Sequence, residues 1–252
     1  KDSEDQWRKK VFSLKLLQSR PDLVIYYESI SAIPTFISYL IRRKSNYDLV
    51  ILHHEYFSKK WYAETAPKLV KLNQKIEKKY LYPIADRISQ TNQDRIERFL
   101  QDHSIAREKM FLMPNYPPKS WGTRKRIAST ETTECLKFVY VGTISLGYSY
   151  LQKFCEWIVN NGSDVSFDIY SYNLDQTTRK YIESIESERV TLHIEGVEYD
   201  AIPDLLDHYD IGVVLYNAVT DNYKYNAPNK LFEYWASGLD VWFSEDLITS
   251  RE

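Results

Sequence analysis

The segment from Asn226 to Gly238, NAPNKLFEYWASG, brings a helix stop, a helix start, a cation and a carboxylate into one short stretch. Pro228 ends any upstream helix, Asn229 suits an N-cap, and Leu231, Tyr234 and Trp235 then fall at helical spacing. A helix N-terminus presents unpaired N–H groups and partial positive charge, so it suits a diphosphate. Lys230 adds a cation beside that end, and Glu233 stands one turn further along. From there a carboxylate can accept two hydrogen bonds from a ribose diol. Spacing alone equally describes a capped surface helix whose glutamate faces water, so both readings stand at this point.

A second cluster lies in the other half of the chain. His53, His54 and Glu55 directly follow an apolar run ending at Leu52, and Glu28 follows one ending at Tyr26. These are positions at the carboxyl edge of strands, where doubly wound sheets bind ligands. A histidine there could hydrogen-bond a sugar hydroxyl or steady a phosphate, and Glu28 or Glu55 could act on an acceptor hydroxyl. The alternative is a buried histidine with a backbone partner. No single residue marks a nucleophile. The adjacent pair His53 and His54 lacks the spaced partners of a metal site, so neither metal nor cofactor is expected. Among 21 tyrosines, Tyr216, Tyr223 and Tyr225 flank the loop before the NAPNK segment and could pack on a base or sugar.

The elements that must position these residues alternate. Apolar runs bounded by turn residues predict parallel strands over 22–26, 48–52, 87–89 and 109–113, with helices over 5–18, 31–43, 67–82 and 93–103. Residues 114–134 break the pattern with Pro114, Pro117, Pro118, Gly122 and a Ser/Thr-rich run, which reads as a linker. Strands over 136–141, 165–170, 190–193, 211–215 and 239–243 then alternate with helices over 150–160, 176–185, 201–209 and 229–237. The expected organisation is a first domain over 1–115, a linker over 116–135 and a second domain over 136–252. The first half offers four strands and no glycine-rich strand–loop–helix of the nucleotide-binding kind. It is therefore expected to be incomplete, as is the end of the second half after the strand near Phe243.

Composition narrows the classes. The 252 residues are 43% hydrophobic and 27% charged, which excludes disorder, and no apolar run approaches the roughly 18 residues of a membrane span. Two cysteines are too few for a disulfide framework, so a reducing compartment, the cytoplasm, is expected. Charge is divided unevenly. Residues 1–126 carry 25 Lys and Arg against 14 Asp and Glu, while residues 127–252 carry 8 against 21. A basic half attracts anionic surfaces. Lys68, Lys71, Lys75 and Lys79 would form one stripe of a helix beside Leu69, Leu72, Ile76 and Tyr80, an arrangement suited to the inner face of a membrane or to a plain solvated face. No zinc-finger or RNA-binding signature is present, so nucleic acid is not an expected partner.

The stretch PNKLFEYWASGLDV resembles the signature of retaining glycosyltransferases of the GT-B fold, in which two Rossmann-like domains face each other across a cleft and the second binds a nucleotide-sugar. LKFVYVGTI (136–144) looks like the strand and glycine turn that open that family's donor domain. MPNYP (113–117) looks like its interdomain segment, and residues 77–90, with Ala85 and Asp86, like its glutamate helix and short strand. The resemblance implies an α/β protein of two doubly wound domains and a bacterial polysaccharide-type enzyme that moves a sugar, with retention, from a nucleotide diphosphate-sugar to a saccharide or lipid-linked acceptor. Glu233 would hold the ribose, and Lys230 with the Asn229 helix end, behind Pro228, the diphosphate. Gly142 and Thr143 would let the backbone approach the donor, and His53 or His54 would contribute from the other domain. Two departures stand out. Tyr225 occupies the place of the family's first glutamate, and no Arg–Lys pair follows Gly142. They favour the alternative of a non-catalytic relative acting as a binding or partner subunit. A nucleotide-sugar epimerase of related architecture is a third reading.

Overall fold

The computed structural model describes residues 21–29, 32–41, 47–123, 135–161, 164–185 and 187–251. The helix expected over 5–18 lies outside them. The chain divides into two compact units, Lys1–Pro114 and Asn115–Glu252. Both are α/β, and every strand pairing in the two sheets is parallel.

In the first unit the strands β1 (Leu23–Tyr27), β2 (Asp48–Leu52), β3 (Arg87–Gln90) and β4 (Met110–Leu112) pair in chain order. The helices α1 (Ala32–Ile41), α2 (Lys59–Glu64), α3 (Lys68–Ile76) and α4 (Gln93–Asp102) fall between them. Helix α2 was not anticipated, because its six residues are too few to show an apolar period; Ser58 caps it by accepting from the Trp61 amide. Strand β1 alternates, with Val24 and Tyr26 buried and Leu23, Ile25 and Tyr27 exposed. The core joins Val24, Leu49, Ile51, Leu81, Ile88 and Phe99. Register places Tyr27 opposite Leu52 and Leu52 opposite Ser89, so the residues following β1, β2 and β3 emerge at one edge.

The helix expected over 67–82 is not uniform. It is α-helical only to Ile76, then widens into a π-helical stretch over Glu77–Leu81 before a last turn at Tyr82–Ile84. The wider turn accompanies the joint burial of Glu77, Leu81 and Tyr82. Such bulges recur at functional positions.

The second unit opens with α5 (Lys119–Gly122), a short helix within the stretch read as linker, whose Trp121 is buried against Val139 and Tyr234. Its sheet comprises β5 (Leu136–Val141), β6 (Val165–Tyr170), β7 (Val190–His193), β8 (Ile211–Val214) and β9 (Asp240–Phe243), in the order β7-β6-β5-β8-β9. Chain order reverses between β5 and β8. The helices are α6 (Leu151–Asn160), α7 (Gln176–Glu183), α8 (Ile202–Leu206), α9 (Asp221–Lys224) and α10 (Asn229–Ala236). Successive residues of β5 enter opposite cores, Phe138 and Tyr140 one layer, Val139 and Val141 the other, as a sheet covered on both faces requires.

Helix α10 is docked by a tyrosine. The Tyr234 hydroxyl accepts the Val141 amide at 2.9 Å, and its ring crosses β8 where Gly212 has no side chain. A Cβ at Gly212 would stand 2.3 Å from that ring. Gly212→Ala therefore displaces Tyr234 and lowers stability by about 1–3 kcal/mol, the usual cost of overpacking. Urea denaturation of the variant against the parent measures it.

Candidate functional sites

In the first unit the carboxyl edge of β1–β3 gathers an unusual number of ionisable side chains. Glu28 follows β1 with φ 57°, a left-handed conformation that glutamate rarely adopts. Its Oε1 accepts the backbone amides of His54 and Glu55. Its other oxygen lies 3.8 Å from Nδ1 of His53. His53 is buried, and its Nε2 lies 3.2 Å from the Tyr82 hydroxyl and 3.9 Å from Oε1 of the fully buried Glu77. Burial alone would lower the His53 pKa, but Glu28 and Glu77 outweigh it and raise it. Burial alone would raise that of Glu28, but His53 and the two amides hold it below the usual carboxylate range. Glu77 is pushed up by burial, which His53, Tyr26 and Ser29 only partly oppose.

His54 is placed differently. It is half-buried, its Nδ1 sits 3.0 Å from the Tyr27 hydroxyl, and burial lowers its pKa, with Glu28 opposing and Arg95 adding to the fall. It is thus a neutral imidazole beside the strand edge, whereas His53 is turned into the interior between two carboxylates. Of the expected trio, Glu28 organises the loop, His53 lies beneath it and His54 remains at its surface.

Two participants were missed from sequence. Arg95 is buried in the first turn of α4, where Asn92 caps the helix, and it donates to the His54 carbonyl at 2.8 Å and to Thr91 Oγ1 at 2.9 Å. Burial lowers its pKa to about 10 against the pull of Glu55 and Glu28. Its helical spacing resembles that of any surface arginine, so only the fold reveals it. Tyr62, on the unanticipated α2, has its hydroxyl pKa raised by burial and then by Glu77.

In the second unit the residues expected around a donor converge at the reversal between β5 and β8, the place where open α/β sheets bind ligands. Gly142 leaves β5 with φ 116°, and a Cβ there would stand 3.2 Å from the Lys230 Nζ. That ammonium lies 3.2 Å from the Tyr216 hydroxyl, 4.9 Å from the centre of the Tyr140 ring and 5.5 Å from that of Tyr216. Among the described residues it forms no ion pair. Thr143 is exposed, its carbonyl accepting from the Tyr140 hydroxyl at 2.8 Å. Helix α10 starts one residue earlier than expected. Pro228 is the N-cap and Asn229 the first helical residue, and no side chain caps the end. Proline has no side-chain acceptor to offer, so that end stays open to an anion.

Glu233 is 8% exposed, and burial raises its pKa, with Lys230 opposing. Among the described residues no donor meets its carboxylate. Trp235, at apolar spacing in the sequence, is instead 73% exposed. Tyr225 is buried at the end of α9, under the Lys224 ammonium at 5.7 Å from its ring centre. Tyr216 and Tyr223 pack together with ring centres 4.7 Å apart.

No family model and no curated protein matches the chain. Solved structures do. The lipopolysaccharide outer core galactosyltransferase WaaB is 15% identical, with a TM-score of 0.59 over 96% of this chain and 61% of its own. Anabaena HepE, solved with UDP and glucose, is 13% identical, with a TM-score of 0.63 over 91% of this chain and 61% of its own. The UDP-GlcNAc 2-epimerase from Neisseria meningitidis, bound to UDP-GlcNAc, is 13% identical, with a TM-score of 0.57 over 96% and 70%. The chain thus spans about three fifths of the length of WaaB and HepE. At these identities the likeness establishes the fold, which is GT-B with two Rossmann-like α/β domains.

The first-unit cluster has a signed consequence for stability. His53 has a raised folded pKa, so its contribution is complete below the ordinary value of 6.5 and is lost as pH climbs through the raised value. Glu77, also raised, acts in the same direction, because the folded state holds its proton more tightly. Glu28, lowered, contributes above the ordinary 4.5 and loses its effect as pH falls below that. The urea midpoint is expected to fall as pH rises from about 6 to about 9, and His53→Gln flattens the profile.

Proposed function

We propose that the chain belongs to a nucleotide-sugar-dependent glycosyltransferase that transfers a sugar with retention to a saccharide or lipid-linked acceptor of bacterial polysaccharide type. The observation that carries the reading is the pairing, on one helix, of an ammonium that among the described residues meets a tyrosine hydroxyl and ring faces but no carboxylate, and a buried carboxylate that meets no donor there. Lys230 and the open end of α10 at Asn229, shaped by Pro228, take the diphosphate. Glu233 takes the ribose diol, whose hydroxyls supply the donors its buried carboxylate lacks. Gly142 and Thr143 bring the backbone close to the phosphates, and Tyr225 backs the loop from within. Charge building on the departing diphosphate meets Lys230 and the helix amides, so leaving-group stabilisation carries much of the catalysis. Retention is inferred from the resemblance of residues 228–241 to the retaining signature. From the first unit, His54 at the surface serves acceptor or sugar hydroxyls, and Glu28 with His53 beneath it holds the loop that carries it.

Tyr225 keeps a second reading in play. Its burial in place of a sugar-contacting glutamate suits a non-catalytic relative that binds nucleotide without turnover. The thermal-shift response to UDP, GDP, ADP, CMP and their sugars tests the donor site. One nucleotide diphosphate is expected to stabilise the protein by about 2.7 kcal/mol at a hundredfold excess over its dissociation constant. Glu233→Ala abolishes that shift. Absence of any shift would remove the donor site. Binding without transfer to an acceptor would select the non-catalytic reading, and sugar inversion without an acceptor an epimerase.

No helix among the described residues is long and apolar enough to cross a membrane. Peripheral contact at the inner face of the membrane is proposed for α3 and α1. Lys68, Lys75 and Lys79 are exposed beside Leu69 and Leu72, and on α1 Ile37 and Leu40 are exposed as well. Lys71 of the same stripe is tied to the Ala63 carbonyl at 2.7 Å. Phe36 of α1 stacks at 4.5 Å on Tyr80 of the π-helical stretch that follows α3 and also carries Lys79. Each basic residue near an anionic bilayer contributes about 1 kcal/mol. Co-sedimentation with phosphatidylglycerol vesicles but not with phosphatidylcholine vesicles is expected, and reversal of Lys68, Lys75 and Lys79 to glutamate abolishes it.

A further inference from the structure

We propose that Glu77 is a positioning residue: acting through His53 and Glu28, it holds the backbone of His54 and Glu55 at the carboxyl edge of the first unit. The structural content of this proposal stands on geometry alone, and its bearing on catalysis rests on the transferase reading above.

The chain of contacts is continuous. Glu77 is wholly buried on the π-helical turn, where its oxygens accept from the Tyr26 hydroxyl at 2.5 Å and the Ser29 hydroxyl at 2.7 Å. Two hydroxyls aimed at its two oxygens identify it as an acceptor rather than as a donor. Oε1 also lies 3.9 Å from the Nε2 of His53. The Nδ1 of His53 looks the other way, to Glu28 Oε2 at 3.8 Å. Glu28 in turn binds the amides of His54 and Glu55 through its remaining oxygen. The imidazole therefore has a carboxylate beyond each ring nitrogen, an arrangement that favours the doubly protonated ring.

The ring's other neighbours do not reproduce this field. Tyr82 approaches Nε2 from the turn after Leu81, Phe99 of α4 packs on the ring at 5.4 Å, and His103, beyond α4, is disfavoured as a cation by burial and by His53 itself. Arg95 is engaged at the His54 carbonyl and at Thr91 Oγ1. Tyr62 faces Glu77 from α2. Glu77 and Glu28 are thus the negative charges that hold a proton on His53. Loss of the Glu77 charge would leave a buried neutral ring, weaken its hold on Glu28, and loosen the two amides that Glu28 binds.

The test is imidazole NMR titration with amide hydrogen exchange on the whole protein and on Glu77→Gln, which keeps shape and removes charge. In the parent, the His53 midpoint is expected above 6.5. In Glu77→Gln it falls by about one pH unit or more, a tenfold change in proton affinity, and the His54 and Glu55 amides exchange about tenfold faster or more. Glu77→Asp, which restores the charge, recovers part of both effects. In the transferase assay Glu77→Gln lowers kcat and leaves the donor KM unchanged. A parent midpoint at or below 6.5, or a folded Glu77→Gln with unchanged midpoint and exchange, overturns the proposal. If Glu77→Gln fails to fold, the parent titration and Ser29→Ala decide. That variant removes one donor from Glu77 and lowers the His53 midpoint in the same direction. Should the NMR outcomes hold while no nucleotide stabilises the protein, the transferase reading falls and the positioning role remains.

Discussion

A parallel sheet delivers the carboxyl end of each strand to the same edge, and both sites of this protein follow from that constraint. Strand side chains are committed to the cores on either face, so the residues just beyond the strands are the ones left to converge. In the first unit these are Glu28 after β1 and His53 after β2. In the second they are Gly142 after β5 and Tyr216 beyond β8, joined by Lys230 from the helix that packs behind. The reversal of chain order between β5 and β8 opens room at that point.

The two sites solve opposite electrostatic problems. The first buries several ionisable groups and satisfies them with one another, so that the carboxylates flanking His53 favour a proton on its ring. The second keeps a cation and a carboxylate on one helix, neither of them in an ion pair among the described residues. Lys230 is surrounded by ring faces and a hydroxyl, which orient an ammonium without neutralising it. A group held ready in this way needs little rearrangement when an anion arrives.

Much of this was legible in the sequence. Strands β2, β5, β6 and β7 fall on the expected residues, because buried parallel strands read as apolar runs between turn residues. Gly142 and Lys230 stand on two stretches that the sequence marks separately, and only the fold brings them together at the reversal between β5 and β8. The rest was hidden by physics that acts across the fold. Arg95 sits at ordinary helical spacing, and its burial depends on the loop after β2. The π-helical turn at Glu77 is invisible to a periodicity argument, which assumes a constant turn. Helix α2 is too short to display a period, and Pro228 took the cap position that Asn229 was expected to fill. Trp235 warns against treating every large apolar residue at helical spacing as core.

The left-handed backbone of Glu28 carries a cost that its carboxylate and its amide, bonded to the Leu52 carbonyl, offset together with the surrounding fold. A non-glycine residue in that region costs about 1–2 kcal/mol in backbone energy, a penalty that glycine escapes. Glycine at this position would therefore relax the chain and at the same moment release the His54 and Glu55 amides and uncover one side of His53. The conformation of one residue thus couples a backbone cost to the contacts that hold the whole edge.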